Sequence, residues 1–335
     1  YEYTIKVLIV TKDCQHAITS DRNRNITVWH LKTGQIVHQF TNCHAYDILG
    51  LAVSQDSKTI ISCSNEDCVL WSLEEMNELY RFPVAEGPQS HIAMAVIDGI
   101  EHIVAQKDQN VVGVWRLDTH ELIQQFNLPS RAYHFYNWVT SDLQYLYFTS
   151  DNQYGARPLN SVNLSHTFPP GHRASIEALV PAKFGETEFA IAVSKDSAIG
   201  FWDLNKKSLR HKITDISLKA PFTMAISKNN TYLAIGSSEG EIGVWVTESY
   251  GFWHMFRDES YSPNKAISAL AITSSRQVLI SCCENRINFW SILEKKPLGR
   301  IDAAHDSKIT CMITTHSGKF CITSSEDKVI KFWDV

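Results

Sequence analysis

Two groups of His, Ser and Asp in this sequence contain the residue types of a hydrolase catalytic triad. They are His172, Ser194, Asp196 and His305, Ser325, Asp327. In a triad the histidine takes a proton from the serine hydroxyl, and the carboxylate orients the histidine. Both groups, however, stand at a fixed distance from a tryptophan, with six residues from Asp to Trp in each case. Because the group recurs in step with a repeat, the pattern predicts a structural role and not a catalytic one.

Phosphate-binding loops and metal-ligand spacings are missing from the sequence. The phosphate-cradling loops Gly-x-x-x-x-Gly-Lys-Ser/Thr and Gly-x-Gly-x-x-Gly do not occur. Cys282 and Cys283 are adjacent, and Cys63 and Cys68 have no nearby set of His or Cys partners, so no metal-ligand spacing is present. We therefore predict no cofactor, no metal site and no enzymatic activity.

The composition is typical of a folded globular protein with an ordinary charge balance. Of the 335 residues, 44% are hydrophobic and 20% are charged, and the formal net charge is −5. Sequence-independent binding to nucleic acid requires a strongly basic surface, which this charge balance does not indicate. Protein partners are therefore expected rather than nucleic acid. No apolar run is long enough to span a bilayer, so we expect no membrane insertion.

Cysteine usage and the first residues bear on the cellular compartment. The 8 cysteines are spread along the chain, most of them in apolar, strand-like runs. In such runs cysteine behaves as a small hydrophobic residue, and this usage is typical of reducing compartments. The chain starts with YEYTIKVLIV, which lacks an initiator Met and the basic start of a signal peptide. We expect a cytoplasmic chain that is a piece of a longer protein or a processed one.

A tryptophan recurs along the whole chain with a nearly constant period. The tryptophans are Trp29, Trp71, Trp115, Trp202, Trp245, Trp290 and Trp333. Successive gaps are 42, 44, 87, 43, 45 and 43 residues, and the gap of 87 equals two periods. One repeat has therefore lost its tryptophan, near Pro158, and the period predicts eight repeats.

Each repeat contains short runs rich in β-branched and aromatic residues, separated by Gly, Asp, Asn and Ser. The last repeat has three such runs, at 308–315, 319–325 and 329–335. A fourth run stands between repeats, as at 35–40 and 121–126. Runs of this kind predict strands, and four strands per repeat are typical of a β-propeller blade.

We therefore predict an all-β fold, a single domain over residues 1–335 with about eight four-stranded antiparallel blades. Each blade has two apolar faces, and stacking blades side by side buries them, so we expect the tryptophans between blades. The eighth repeat reaches Trp333 without an obvious fourth strand. Either the ring closes with one strand missing, or it has seven blades plus one repeat cut from a longer array.

The pairs Trp202-Asp203 and Trp333-Asp334, together with the period, resemble the WD40 repeat family over essentially the whole chain. In that family a His before the first strand, a Ser or Thr on the second strand, an Asp in the following turn and the Trp form a buried hydrogen-bonded tetrad. The resemblance implies two complete tetrads. They are His172, Ser194, Asp196, Trp202 and His305, Ser325, Asp327, Trp333.

The remaining repeats depart from this tetrad pattern. The second repeat keeps His44 and Trp71 but has Asn65 at the turn, while the sixth has Glu239 and the seventh Glu284. Such divergence predicts repeats with individual surfaces.

The resemblance also implies that partners bind the loops around the central channel. These loops precede each first strand and join each second strand to the third. By register, Arg131, Arg157 and Arg173 stand on such loops in the fourth and fifth repeats. Three arginines on adjacent loops could bind carboxylates or a phosphorylated segment. The alternative is that each is separately solvated.

Two aromatic-rich runs offer further contact surface. Tyr133 and Phe135 belong to the run 133–138, in the repeat that has lost its tryptophan, and a second run spans 250–256 on a predicted outer strand. Aromatic side chains in these runs could face a partner. Packing between blades is the alternative.

We therefore expect a non-catalytic scaffold or regulatory propeller whose partners are other proteins or other domains of its own chain. A resemblance to the C-terminal propellers of NACHT and WD-repeat ATPases implies an alternative, in which the propeller senses a ligand or holds an ATPase domain inactive. A propeller enzyme would need polar groups on the first strands, but the runs 49–53 and 267–272 are almost wholly apolar.

Overall fold

The computed structural model describes most of the chain. The described residues are 5–83, 92–97, 99–108, 111–127, 145–150, 153–158, 166–167, 171–258, 265–273, 277–315 and 318–335. They form strands and turns, and the chain divides into two compact units. The first unit is Tyr1–Ser150 with Gly155–His166, and the second is Asp151–Tyr154 with Thr167–Val335.

Three four-stranded sheets lie in the first unit. Sheet 1 contains β1 (Ile5–Val10), β2 (His16–Asp21), β3 (Ile26–His30) and β4 (Ile36–Phe40). Sheet 2 contains β5 (Gly50–Val53), β6 (Thr59–Cys63), β7 (Asp67–Ser72) and β8 (Glu78–Pro83). Sheet 3 contains β9 (Ile92–Ile97), β10 (Ile100–Asp108), β11 (Val111–Arg116) and β12 (Leu122–Asn127). Sheet 4 follows with three described strands, β13 (Tyr145–Ser150), β14 (Gln153–Pro158) and β15 (His166–Thr167).

The remaining sheets lie in the second unit. Sheet 5 contains β16 (Ile176–Phe184), β17 (Thr187–Ser194), β18 (Ala198–Asp203) and β19 (Ser208–Ile213). Sheet 6 contains β20 (Pro221–Ile226), β21 (Tyr232–Ser237), β22 (Glu241–Val246) and β23 (Gly251–Arg257). Sheet 7 contains β24 (Ile267–Ile272), β25 (Val278–Cys283), β26 (Arg286–Ser291) and β27 (Lys296–Ile301). Sheet 8 contains β28 (Ile309–Thr314), β29 (Phe320–Ser325) and β30 (Ile330–Asp334).

Each sheet is a meander in which every strand pairs with the next one along the chain. The all-β blade architecture predicted from the sequence is confirmed, and the described residues form eight such sheets. Central strands such as β21 and β25 are buried along their whole length, whereas the outer strands β19 and β27 are mostly exposed. Burial on both faces explains why the central strands are continuous apolar runs.

The apolar faces of neighbouring sheets within each unit pack against each other. In the first unit, Phe40 of sheet 1 contacts Trp71 of sheet 2 at 4.7 Å between ring centroids, and Phe82 of sheet 2 contacts Trp115 of sheet 3 at 5.8 Å. In the second unit, Phe256 of sheet 6 contacts Trp290 of sheet 7 in the same way. These three tryptophans thus lie between sheets, where burying a large aromatic ring contributes most to stability.

A register shift accompanies the tryptophan in every four-stranded sheet. The pairing between the third and fourth strands skips a residue at Trp29, Trp71, Trp115, Trp202, Trp245 and Trp290. A bulge of this kind bends the strand and increases its twist.

The cysteines differ in part from the sequence-based expectation. Cys63 and Cys68 are joined by a disulfide across the β6–β7 hairpin, so they are not simply small hydrophobic residues. Cys282 and Cys283 point to opposite faces of β25, and both are fully buried. Cys282 packs toward sheet 8 and Cys283 toward sheet 6, because β25 is covered on both sides. None of the described residues forms a helix long and apolar enough to cross a membrane.

Candidate functional site

The second repeat contains a complete hydrogen-bonded tetrad. His44 lies in the connection before β5 with its side chain fully buried, and its Nδ1 pairs with a carboxylate oxygen of Asp67. Its Nε2 lies 2.6 Å from the Ser62 hydroxyl, which also accepts the Trp71 indole N–H at 2.8 Å. The aspartate position belongs to Asp67 and not to Asn65. Asp67 lies five residues after the bridging Ser62 and four before Trp71, whereas Asp327 of the eighth repeat lies four residues after Thr323 and six before Trp333.

Asp67 also contacts residues outside the tetrad. Its carboxylate accepts the Ser64 hydroxyl at 2.5 Å and also pairs with the guanidinium of Arg81 on the outer strand β8. Burial alone would raise the pKa of this carboxyl, but hydrogen bonds from His44, Ser64 and Arg81 outweigh burial and lower the pKa to about 2. The turn is therefore fixed to the preceding connection and to the outer strand through one carboxylate.

The eighth repeat contains the same arrangement, with one residue differing from the prediction. His305 Nδ1 lies 2.8 Å from Asp327, and its Nε2 lies 2.8 Å from the Thr323 hydroxyl, which accepts the Trp333 indole N–H. The bridging hydroxyl thus comes from Thr323, and the prediction of Ser325 is corrected. Ser325 donates to the Ser307 carbonyl and accepts the Asp327 backbone N–H. Ser325 therefore shapes the turn instead of linking His to Trp.

The fifth repeat lacks the bridging hydroxyl. His172 Nδ1 lies 3.1 Å from Asp196, as in the other tetrads. Ser194, however, donates to the Ala174 carbonyl and accepts the Asp196 N–H, so the prediction that Ser194 bridges His and Trp is also corrected. The bridging position is occupied by Ala192, and His172 Nε2 has no hydroxyl partner among the described residues.

The tryptophan ring packs in one of two arrangements. Which one it adopts depends on two residues that face each other across the second and third strands of the sheet. Where the second strand carries a hydroxyl, the indole N–H donates to it and the residue opposite has a side chain. These pairs are Thr19 with Thr27, Ser62 with Val69, Ser281 with Asn288, and Thr323 with Lys331. Where the hydroxyl is absent, the opposite residue is glycine. These pairs are Ala105 with Gly113, Ala192 with Gly200, and Ile235 with Gly243. A Cβ at any of these glycines would overlap the indole ring, so the ring lies directly over the glycine.

Exposed ion pairs replace the buried His–Asp pair in the sixth and seventh repeats. Lys219 lies 3.3 Å from Glu239, and Lys265 lies 3.6 Å from Glu284. These pairs link the connection before the first strand to the turn after the second strand, as the His–Asp pairs do elsewhere. Solvent-exposed pairs contribute little stability, so these two turns are held less firmly than the turn at Asp67.

The residues predicted to bind a partner are only partly within the described chain. Arg173 lies on the connection before β16 with an exposed side chain, and its backbone N–H donates to Asp196 at 2.8 Å. Arg157 lies within β14, so the prediction that it stands on a loop is corrected: the repeat without a tryptophan still forms its strand up to Pro158. Arg131, Tyr133 and Phe135 lie outside the described residues.

The aromatic run 250–256 forms the outer strand of sheet 6, and most of it packs against neighbouring sheets. Trp253 donates its indole N–H to the Ile292 carbonyl of sheet 7 at 2.9 Å, and the Lys295 ammonium lies over its ring. Tyr250 stacks on His211 of sheet 5. Phe252 is the exception, with 57% of its surface exposed. Packing between sheets therefore explains this run except at Phe252.

A set of exposed residues near the second repeat was not singled out by the sequence. Arg24, in the turn between β2 and β3, donates to the Ala45 carbonyl at 2.9 Å, and the adjacent Tyr46 is 48% exposed. Arg22 in the same turn is exposed. An aromatic ring and two cations on neighbouring turns could bind an acidic segment, but only the fold brings residues 22–24 and 46 together.

The pentapeptide Gly236–Gly240 has the Gly-x-Ser-x-Gly pattern of a hydrolase nucleophile turn. That turn normally joins a strand to a helix, whereas here it joins β21 to β22. The serine at the nucleophile position of the pattern is Ser238, whose backbone N–H donates to the Ala220 carbonyl at 3.2 Å. The neighbouring Ser237 accepts the backbone N–H groups of Glu239 and Glu241, so the segment forms a hairpin turn. Among the described residues, no group of three or more His, Cys, Asp or Glu side chains could hold a metal ion.

The buried His–Asp pairs predict a stability that decreases toward acid in two steps. Burial is the largest influence on His172 and His305 and lowers the pKa of each below the usual 6.5, so the unfolded chain binds more protons just below that pH. The pKa values of Asp67, Asp196 and Asp327 are lowered below 3.8. Thermal unfolding midpoints should therefore be flat above pH 7, fall as the pH drops through 6.5, and fall again between about 4 and 2. A midpoint that rises between pH 7 and 5 would contradict these assignments.

Comparison with known proteins agrees with the fold. The family described as "WD domain, G-beta repeat" matches residues 34–72 and 295–334. Telomerase protein component 1 from Rattus norvegicus is 36% identical over 101 residues, which cover 29% of this chain and 4% of that protein. A WD repeat domain-containing protein 83 homolog from Dictyostelium discoideum is 27% identical over 104 residues, 31% of each chain. Cilia- and flagella-associated protein 52 from Homo sapiens is 17% identical over 279 residues, 78% of this chain and 43% of that protein.

The matched segments span less than half the length of each of these three relatives. The family matches cover β4 with the first three strands of sheet 2, and β27 with the three strands of sheet 8. Among the described residues, these are the two places that contain a complete tetrad. WD40 domains mediate protein–protein interaction. The chain thus contains WD40 repeats at residues 34–72 and 295–334, and its antiparallel sheets of three or four strands are consistent with the blades of a WD40 β-propeller.

Proposed function

We propose that this chain is a non-catalytic scaffold that binds proteins through its rim turns, the turns that join the second strand of each sheet to the third. The observation that carries the proposal is the contrast within these turns. Their bases are fixed by buried His–Asp pairs, as at His44–Asp67 and His305–Asp327, while adjacent residues such as Arg22 and Arg173 are exposed. A preorganised turn loses little conformational entropy when it binds.

The geometry supports binding rather than hydrolysis. In a serine hydrolase the histidine accepts the proton of the nucleophile. Here Ser194 and Ser325 donate to backbone carbonyls, while His172 and His305 point their Nδ1 atoms at aspartates. The side chains of both histidines are fully buried, and each bonds to the aspartate of a turn. The proposed role therefore requires no cofactor.

The finer proposal places an acidic or phosphorylated segment of the partner near the fourth and fifth repeats. Arg173 is exposed beside the Asp196 pair, and Arg131, Tyr133 and Phe135 remain predictions for the same contact. Arg157, within β14, is the least suited of the predicted residues. That all repeats form one propeller over residues 1–335, and that the chain acts in the cytoplasm, also remain predictions.

Affinity capture with charge-reversed variants tests this proposal. The chain and an Arg131→Glu/Arg173→Glu variant are used to capture proteins from nuclease-treated lysate, and captured proteins are quantified by mass spectrometry. We expect the wild type to retain discrete proteins and the variant to lose them about tenfold or more, which corresponds to one lost charge-assisted contact. Nuclease treatment removes partners that are held only through nucleic acid.

The matched control reverses two exposed cations of the same sheet away from the rim, as Lys206→Glu/Arg210→Glu. The control should capture the same proteins as the wild type. Equal losses in both variants would contradict the rim assignment, because general electrostatics would then explain binding. If the wild type retains no partner, the alternative is favoured in which the ligand is another domain of the same chain.

A further inference from the structure

We infer that the Cys63–Cys68 disulfide is a redox-sensitive clamp on the rim turn that carries Asp67. Cys63 is the last residue of β6, and Cys68 lies directly opposite it on β7 with the Cα atoms 4.1 Å apart. The bond closes a turn of four residues, 64–67, at its base. The inference goes beyond the proposed function, since the measurements that test it need no partner.

The clamped end of the hairpin is also a packing site. Cys63 and Cys68 are buried in the cluster between sheets 2 and 3, where they pack with Phe82 and Trp115. Two sulfur atoms within an apolar cluster keep the ends of β6 and β7 together as long as they share a bond. Once the bond is reduced, two buried thiols must be accommodated in the same space. Reduction therefore affects the packing as well as the covalent link.

The clamped turn holds a carboxylate that has three side-chain partners. Asp67 pairs with His44 from the preceding connection and with Arg81 from the outer strand, and it accepts the Ser64 hydroxyl. Ser64 and Asp67 are also joined by a backbone hydrogen bond of 2.8 Å. All of these contacts require the turn to stay closed. The disulfide thus determines how firmly three segments of the rim are held together.

The corresponding turns of other described sheets are closed without a covalent bond. In sheet 8 the turn is closed by hydrogen bonds from Asp327 to Ser325 and from Val329 to Asp327. In sheet 7 the residue opposite Cys283 is Arg286, so no second sulfur is present. Within the described chain, the second repeat is therefore the one whose rim turn can respond to a thiol reagent in this way.

The chemistry of the switch is thiol–disulfide exchange. A thiolate of a dithiol reductant attacks one sulfur of the Cys63–Cys68 bond and forms a mixed disulfide. Its second thiol then releases the protein cysteine. The protein gains two electrons and two protons and ends with two thiols, while the reductant leaves as a cyclic disulfide. A low-molecular-weight disulfide such as oxidised glutathione reverses the reaction.

Hydrogen exchange of the full chain tests the inference in two redox states. One sample is equilibrated with oxidised glutathione, and the other is reduced with dithiothreitol and alkylated with iodoacetamide. We expect Cys63 and Cys68 to be alkylated only after reduction. Amides 64–67 should exchange about fivefold faster or more in the reduced sample, because the turn then opens locally. The unfolding midpoint should fall by about 3 °C, since a short covalent loop is lost from a chain of this size.

Two variants separate the clamp from general effects of reductant. In Cys63→Ala/Cys68→Ala, amides 64–67 should exchange fast in both conditions. In Cys282→Ala/Cys283→Ala, which replaces two buried cysteines outside the disulfide, the turn should respond to reductant as in the wild type. If the first variant does not fold, the two wild-type samples still decide the question. Alkylation of Cys63 and Cys68 before reduction, or equal exchange of amides 64–67 in the two samples, would overturn the inference.

Discussion

Replacing Asp67 with alanine is expected to lower the free energy of unfolding by about 3 kcal/mol, because one partner of a buried charged network is removed. His44, whose side chain is fully buried, would lose the acceptor for its Nδ1, and Arg81 would lose a carboxylate. Arg81 keeps its pair with Glu78, so the main cost is the buried His44 Nδ1 left without its acceptor, and this cost exceeds the value of the contact itself. Guanidinium unfolding of the full chain, followed by tryptophan fluorescence, measures the change.

The matched control is Asp47→Ala in the same unit. Asp47 pairs with Lys6 at an exposed position, so its loss should cost no more than about 0.5 kcal/mol. The two variants remove the same chemical group from an ion pair and differ mainly in burial. A loss below about 1 kcal/mol for Asp67→Ala would show that the tetrad contributes no more than a surface ion pair.

The second large effect is expected at Gly200, over which the Trp202 indole lies. Gly200→Ala places a methyl group where the ring now is, so the indole must leave its position over Gly200 and Gly171. Overpacking of a core in this way costs about 1–3 kcal/mol. Gly299→Ala is the control, because a Cβ at Gly299 meets no atom within 4 Å. Its effect should lie within about 0.5 kcal/mol.

The two modes of seating the tryptophan predict that a second substitution rescues Gly200→Ala. Ala192→Ser supplies a hydroxyl on the second strand. In sheets 1, 2, 7 and 8 the residue opposite such a hydroxyl on the third strand has a side chain. The new hydroxyl can accept the Trp202 indole N–H and meet His172 Nε2. We expect the double variant to recover about 1 kcal/mol relative to Gly200→Ala alone. Strictly additive losses in the double-mutant cycle would contradict the two-mode account.

The period of the tryptophans and the apolar runs between them were enough to predict the blades. These signals are local, since a strand buried on both faces must be a continuous apolar run wherever it occurs. The outer strand near 250–256 was instead predicted from the fourth run that stands between repeats, since most of its residues are only partly buried or exposed. Ring closure is a different kind of property, because it depends on how the two units are arranged and not on any local pattern.

The tetrad hydroxyls could not be chosen from the sequence alone. Thr323 and Ser325 are two residues apart on β29, so their side chains are on the same face of the strand, and both carry a hydroxyl. Only the register with β30 distinguishes them, because Thr323 lies opposite Lys331 whereas Ser325 stands at the turn. Asp67 was missed because it lies at the end of its turn, four residues before Trp71 instead of six.

The pairing of Ala192 with Gly200 likewise could not be predicted from the sequence, because it depends on the register between β17 and β18. Each residue by itself is an ordinary small residue in a strand. Their role becomes clear only when the same pair of positions on the second and third strands is compared among sheets. Glycine occurs on the third strand where the second strand has no hydroxyl. Arg157 illustrates the opposite error: a repeat that has lost its tryptophan still forms its strand, and counting by period placed this arginine on a loop.

The most direct test of the scaffold proposal is hydrogen exchange of the full chain with and without a captured and purified partner. The account predicts that protection on binding is concentrated in rim turns and the connections before first strands, such as 22–25, 64–66 and 171–175, while the outer strands β19 and β27 are unchanged. Protection confined to the outer strands, with the rim turns unaffected, would contradict the proposal that the rim is the binding surface.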